Sequence, residues 1–454
     1  MGRLGKIAIV ILGVVCLSGA FLLGASTFWD EMLRGSAAQP VWPWRLPEMP
    51  PEFTAEYRQL IEGVSADVRQ VMQVYPNDPD AISALGLLHY LVHDREAEVA
   101  CWNHCLTVDP RHELAYSRLV ASAQQDADYE RIVSLMHRAL ASDPDNPSYG
   151  GILGSALMYL NRYQEARDVL EGQLHAGHAT ADAYHVLGEV CNQMDQLQQA
   201  RRYFQAAVVL GPRRPDSLFG LMKVYAKLGQ ADLAADCRKR FQEIKASQLQ
   251  SEMGRDNTRE GLRDAIYAPT QAGEILTYVG KAYRAHGDVT AATRCLEKAA
   301  SLSADAVECR ELLSELAQER QRPQEALRWV GELKRLQPEN RLHYRNEGIL
   351  YARMGNEAEA ERVFRDICRL EPARAFGYAA LADLFLRQER NLTEARSLAE
   401  RAVELEPVAP HWALLASIAR KSGDEQTARK ALEQAAAAGS APASARANYE
   451  SAAK

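Results

Sequence analysis

The chain has 454 residues and a formal net charge of −7, with 47% hydrophobic and 25% charged residues. These are ordinary values for a folded chain, and they exclude the strongly basic class of nucleic-acid binders. Ala, Leu, Glu, Arg and Gln are abundant and no Gly-rich phosphate loop occurs, so composition points to helices throughout.

Residues 1–6 carry Arg3 and Lys6, the uncharged run Ile7–Trp29 follows, and Asp30 and Glu31 close it. A helix of this length, at 1.5 Å per residue, exceeds the ~30 Å of a bilayer core. The positive-inside rule keeps residues 1–6 cytoplasmic and places everything after Trp29 on the extracytoplasmic, periplasmic side of an inner membrane. Gly24, Ala25 and Ser26 offer a cleavage site, so the alternative is a secreted chain after signal-peptide removal. The apolar core Ile7–Leu23 is longer than a usual signal core, which favours the uncleaved anchor. Residues 30–54 are then a stalk. Within them PVWPWRLPEMPPEF, residues 40–53, holds five prolines and predicts an extended polyproline spacer. Trp42 and Trp44 have three candidate seats: the membrane, a partner, or the first helices of the chain.

A first array is predicted over residues 55–246, opening with an amphipathic capping helix over Ala55–Tyr75. Pro76, Pro110 and Pro144 stand thirty-four residues apart; His178 takes the next place and Pro212 the one after. This phase gives five units, starting at Pro79, Glu113, Pro147, Ala181 and Pro215. The unit from Ala181 to Arg214 is the clearest. Its large apolar residues Tyr184, Leu187, Cys191 and Phe204 fall at positions 4, 7, 11 and 24, and small Gly188 and Ala200 at positions 8 and 20. Leu85-Gly86 and Leu153-Gly154 repeat the Leu-Gly pair, and Trp102 and Leu170 hold position 24. Glu98 and Ile132 depart at position 20. Eight cysteines show no CxxC or zinc-finger spacing. Cys101, Cys237 and Cys295 share position 23 of three units, which points to packing rather than redox chemistry.

After Phe241 the apolar period fades, and residues 247–272 are predicted as an irregular spacer or hinge. A second array, 273–438, has five units starting at Gly273, Val307, Arg341, Ala375 and Ala409, the fourth with one extra residue near Asn391. Residues 439–454 lack large apolar side chains and are predicted to be a disordered tail.

Bulky and small residues on this thirty-four-residue register resemble the tetratricopeptide repeat, a helix–turn–helix unit of that length. The resemblance implies an all-α, right-handed α-solenoid of about ten helix pairs in two blocks, after one transmembrane helix. It also implies a groove lined by the first helix of each pair, through positions 2, 5, 9, 12 and 13. Those positions hold His185, Glu189 and Asn192 in one unit, and Phe219, Lys223 and Lys227 in the next. Later units supply Lys281 and Arg284, then Glu308, Glu311, Glu315 and Glu319. The expectation is a basic patch selecting an acidic peptide, followed by an acidic stripe. No unit carries Lys at 5 with Asn at 9, so the two-carboxylate clamp of chaperone-binding relatives is not expected.

One other constellation stands out. His89 and His93 lie four apart, as do Cys101 and Cys105 in CWNHC, with His104 between them. A Cys2His2 zinc site or redox module is the alternative reading there. No nucleophile–base pair or cofactor fingerprint is visible, so the expectation is a non-enzymatic scaffold without cofactors, binding protein or peptide partners. Self-association through an end of the array is a second alternative.

Overall fold

A computed structural model of the chain describes residues 42–51, 53–253 and 260–439. The predicted anchor, the start of the stalk and the tail beyond Gly439 lie outside the described residues. Among the described residues there are twenty-one α-helices and no strand, and no helix is long and apolar enough to cross a membrane.

Helix α1 (Ala55–Val74) is capped by the Thr54 hydroxyl, which accepts from the Tyr57 N–H. Ten helix pairs follow. The first five are α2/α3 (Pro79–Leu91, Arg95–Val108), α4/α5 (Glu113–Gln125, Tyr129–Ser142), α6/α7 (Pro147–Tyr159, Tyr163–His175), α8/α9 (Ala181–Gln193, Leu197–Leu210) and α10/α11 (Pro215–Lys227, Ala231–Met253). The second five are α12/α13 (Glu260–Ala285, Val289–Leu302), α14/α15 (Glu308–Glu319, Pro323–Leu336), α16/α17 (Arg341–Arg353, Glu357–Leu370), α18/α19 (Ala375–Arg387, Leu392–Leu405) and α20/α21 (Ala409–Lys421, Glu425–Gly439). The two sets of pairs fall in two compact units. Within each, helices pack on their chain neighbours, and first helices also meet the next first helix, as α6 meets α8 and α8 meets α10.

The turn between paired helices has one recurrent geometry. Position 15 takes positive φ in every pair: His93, Ala127, Asn161, Asp195, Gly229, Gly287, Gln321, Gly355, Glu389 and Gly423. The left-handed residue reverses the chain, and the next residue caps the second helix, as the Asp94, Asp128 and Asp288 carboxylates do for Ala97, Arg131 and Ala291. The extra residue of the ninth pair is absorbed here, with both Glu389 and Asn391 left-handed.

Close approach within a pair is a matter of paired sizes. A Cβ added at Gly188 would sit 2.7 Å from the Phe204 ring, at Gly86 2.8 Å from Trp102, and at Gly154 2.6 Å from Leu170. Gly280 faces Leu296 and Gly348 faces Phe364 in the same way. Position 8 is glycine facing a large position 24 in these five pairs; the second pair instead buries Val120 and Met136 at those positions, and in the ninth pair two buried alanines, Ala382 and Ala399, share the space. Glu98 is accommodated differently: its buried carboxylate accepts the indole N–H of Trp102 at 3.0 Å. The five cysteines placed by the repeat, Cys101, Cys105, Cys191, Cys237 and Cys295, are all buried, as packing requires.

Two expectations are corrected. The segment 247–272 is helical wherever it is described, because α11 runs on to Met253 and α12 starts at Glu260, with Pro269 inside it. Residues such as Lys245, Gln248 and Glu252 are good helix formers and need no apolar stripe to continue a helix already begun. Residues 42–51 are extended but do not stand off as a free stalk. They lie on the first pair: the Trp42 ring stacks on His104 at 4.7 Å, the Arg45 carbonyl meets His89 Nε2 at 3.0 Å, and Arg58 donates to the Pro50 carbonyl at 3.0 Å.

Candidate partner-binding surface

On α8 and α10 the expected groove residues form one connected set. His185 is half-buried beside Phe204, and its Nδ1 lies 3.2 Å from the Ser217 hydroxyl. Burial holds its pKa below the ordinary value, so it is a neutral packing group at pH 7. Asn192 is buried and accepts from Lys227 Nζ at 2.9 Å. Lys223 lies over the exposed ring of Phe219 at 4.4 Å, and Phe241 of α11 flanks that ring. Among the described residues neither lysine has a carboxylate partner within salt-bridge distance; each is held by a neutral group. Glu189, on the same face of α8, is half-buried.

The second unit departs from the expected basic-then-acidic order. Lys281 pairs with Glu308 at 3.2 Å, and Arg284 bridges Glu315 at 2.6 Å and Glu319 at 2.7 Å. The basic residues of one first helix and the acidic stripe of the next face each other, so they cancel as a structural ladder. Glu311 has no cation partner among the described residues; burial first, and then Glu315 and Glu308, hold its pKa above the ordinary range. The expected patch near 223–284 thus contracts to Lys223 and Lys227. Sequence spacing put all these residues on first-helix faces correctly, but pairing across adjacent helices is a tertiary fact.

Sequence reading missed a cleft of about 280 Å³ in the first unit. Its floor is α6, through Ser148, Gly151 and Ser155 at positions 2, 5 and 9, and its wall is the stacked Tyr129–Tyr159 pair at 4.6 Å. The available signal was small residues at positions 5 and 9, which α4 also carries as Ser117 and Ala121 but which α8 and α10 replace with His185, Glu189, Phe219 and Lys223. Asp182, at its far side, is paired with Arg214.

Among the described residues the His/Cys constellation is not gathered into a metal-holding group. Both ring nitrogens of His89 are occupied, by the Arg45 carbonyl and by Asp94 Oδ2 at 3.2 Å. His93 lies in the turn, and His104 is stacked against Trp42. Burial pushes the Cys105 thiol up to about 12, and it raises Cys101 likewise, so both are protonated thiols. No group of three or more His, Cys, Asp or Glu side chains among the described residues is placed to hold a metal ion.

Residues 181–210, which make the clearest hairpin, match the family model described as tetratricopeptide repeat. Over this segment the chain is similar to a single tetratricopeptide repeat. The other hairpins share its left-handed turn residue, and four of them share its glycine at position 8 facing a large residue at position 24. A curated relative, the peroxisomal targeting signal receptor of Candida glabrata, is 32% identical over 93 residues, which is 20% of this chain and 16% of that protein. The chain thus matches less than a fifth of that relative's length. Solved structures with some likeness include MamA from Desulfovibrio magneticus RS-1 (16% identity, 36% of this chain and 92% of that one, TM-score 0.33). Another is the yeast Tom70 (15% identity, 80% and 92%, TM-score 0.31). A third is YrrB, described as a TPR protein with an unusual peptide-binding site (18% identity, 46% and 96%, TM-score 0.28). At these scores the likenesses carry no argument about function.

Proposed function

We propose that the chain is a non-enzymatic, membrane-anchored scaffold that binds partner proteins or peptides on the first-helix face of its tetratricopeptide-type hairpins. The contact we assign is on α8 and α10, with an acidic segment of the partner meeting Lys223 and Lys227 and an apolar side chain covering Phe219. One observation carries this reading. Two lysines one helical turn apart stand beside an exposed aromatic ring with no carboxylate partner, while the corresponding cations of the second unit are already paired.

The uncharged run Ile7–Trp29 supports a single inner-membrane anchor with the hairpins on the extracytoplasmic side, where a scaffold would gather components of an envelope complex. Affinity capture from detergent-solubilised membranes, with the full-length chain and Lys223→Glu/Lys227→Glu compared side by side, tests the contact. The expected result is a partner retained by the parent chain and lost at least tenfold in the variant, with unchanged helicity. Equal retention by both removes this surface from consideration.

A further inference from the structure

The residues that looked like a metal cluster in the sequence do have a common task in the structure. His89, His93 and His104 all touch the proline-rich segment that precedes α1. His104 stacks on Trp42 with ring planes 15° apart, His89 meets the Arg45 carbonyl, and His93 lies edge-on to Phe53 at 6.4 Å. Asp94 adds an ion pair to Arg45 at 3.6 Å, and Arg58 fastens the far end through the Pro50, Pro51 and Phe53 carbonyls. All of these anchor points come from the hairpin and from α1, and the segment supplies no helix or ladder of its own.

The first pair does not need this segment for its core. Leu85, Leu88, Trp102 and Leu106 are buried between α2 and α3, whereas no residue from 42 to 51 is fully buried. An extended segment held by a ring stack, a few hydrogen bonds and one exposed ion pair belongs to the low-stability end of a structure. A proline-interrupted chain is also already extended when free, so it loses little entropy on seating and little on leaving.

We propose that the face of the first pair carrying His89 and His104 is a docking seat for an extended, proline- and tryptophan-bearing peptide, and that its occupant is the chain's own residues 42–51, which detach and reseat as a latch. Release of the seated residues frees about ten residues, up to ~35 Å of extended chain, ahead of α1.

Trypsin cleavage after Arg45 in the full-length folded chain reports detachment, because a peptide bond whose carbonyl is held by His89 must leave its seat to enter a protease. His104→Ala should speed that cleavage about tenfold or more while the helical signal is unchanged; His175→Ala, on α7 and in contact with Glu171 rather than with residues 42–51, should leave it within about twofold. A synthetic peptide of residues 40–53, added in millimolar excess to the parent chain, should also speed cleavage by competing for the seat. The same peptide with both tryptophans replaced by alanine should not. Cleavage indifferent to His104→Ala and to the peptide would overturn the proposal, as would equal effects of the two peptides. Failure of the Lys223/Lys227 capture experiment leaves these outcomes untouched, so the two readings stand or fall separately.

Discussion

Gly188→Ala is a sharp test of the packing rule, because two effects of known size oppose each other there. In an exposed helix interior the change gains about 1 kcal/mol from propensity alone. At Gly188 the new methyl would lie 2.7 Å from two carbons of the Phe204 ring, well inside ordinary contact, which starts near 3.4 Å. The ring cannot retreat. On its other side stands Gly220 of the next pair, where an added Cβ would be 2.4 Å away, and Phe204 itself is fully buried. Overpacking of this kind costs about 1–3 kcal/mol. The net expectation is a loss of up to ~2 kcal/mol, confined to α8, α9 and α10 because a stacked array couples mainly nearest neighbours. Native-state amide exchange reads that locally, where a single global midpoint for a long array does not. Gly172→Ala, with nothing within 4 Å of the new methyl, is the control and should gain about 0.5–1 kcal/mol. Phe204→Leu added to Gly188→Ala should recover part of the loss. Stronger protection of α8–α10 in Gly188→Ala alone would refute the size-pairing account.

Ala127 occupies the left-handed turn position at φ 53, so Ala127→Gly should stabilise the second pair by about 1 kcal/mol in the same exchange measurement. Arg284→Ala removes partners from Glu315 and Glu319, but the pairs are more than a quarter exposed on one side and half on the other. The expected loss, read by urea titration, is therefore under ~1 kcal/mol and smaller at high salt. The Asp424 carboxylate is held down to about 2 by the Thr427 N–H and hydroxyl, and then by Arg396. Its folded pKa is below its unfolded value, so its contribution is present above pH ~4 and is lost as pH falls toward 2. Exchange in α21 at pH 5 and pH 2.5 should show that loss, and Asp424→Asn should flatten it. The sign is the same for half-buried His185 and buried His343, whose pKa values burial lowers. The unfolded chain takes up their protons first, so the stability they preserve is full above pH ~6.5 and declines below it. His343→Gln should reduce the fall in stability between pH 7.5 and 5.5, measured by urea midpoint.

Every first helix from Pro79 to Arg353 starts within a residue of the register read from prolines and apolar positions, apart from α12, which starts before its unit. Helix starts depend on local chemistry, namely a proline at the first turn and a cap just before it, and that chemistry is written in adjacent residues. Side-chain faces were legible for the same reason. The fate of charges on those faces was not: Lys281 and Glu308 are twenty-seven residues apart, and only the register between neighbouring first helices makes them partners. The α6 cleft was hidden because absence of bulk at Ser148, Gly151 and Ser155 becomes a cavity only when flanking helices wall it in.

The histidines and cysteines around residue 100 show the limit most clearly. Their spacing admits metal ligation, and only burial and contact geometry separate a ligand from a packed thiol or a stacked ring. The sequence by itself determined the helical hairpin, its thirty-four-residue period and the size of the side chain at each helix crossing, because each follows from backbone preference and local volume. The tertiary structure alone decided which charges are spent on one another and that residues 42–51 fold back onto their own first hairpin. Those outcomes depend on distances between residues far apart in the chain, and no local preference encodes them.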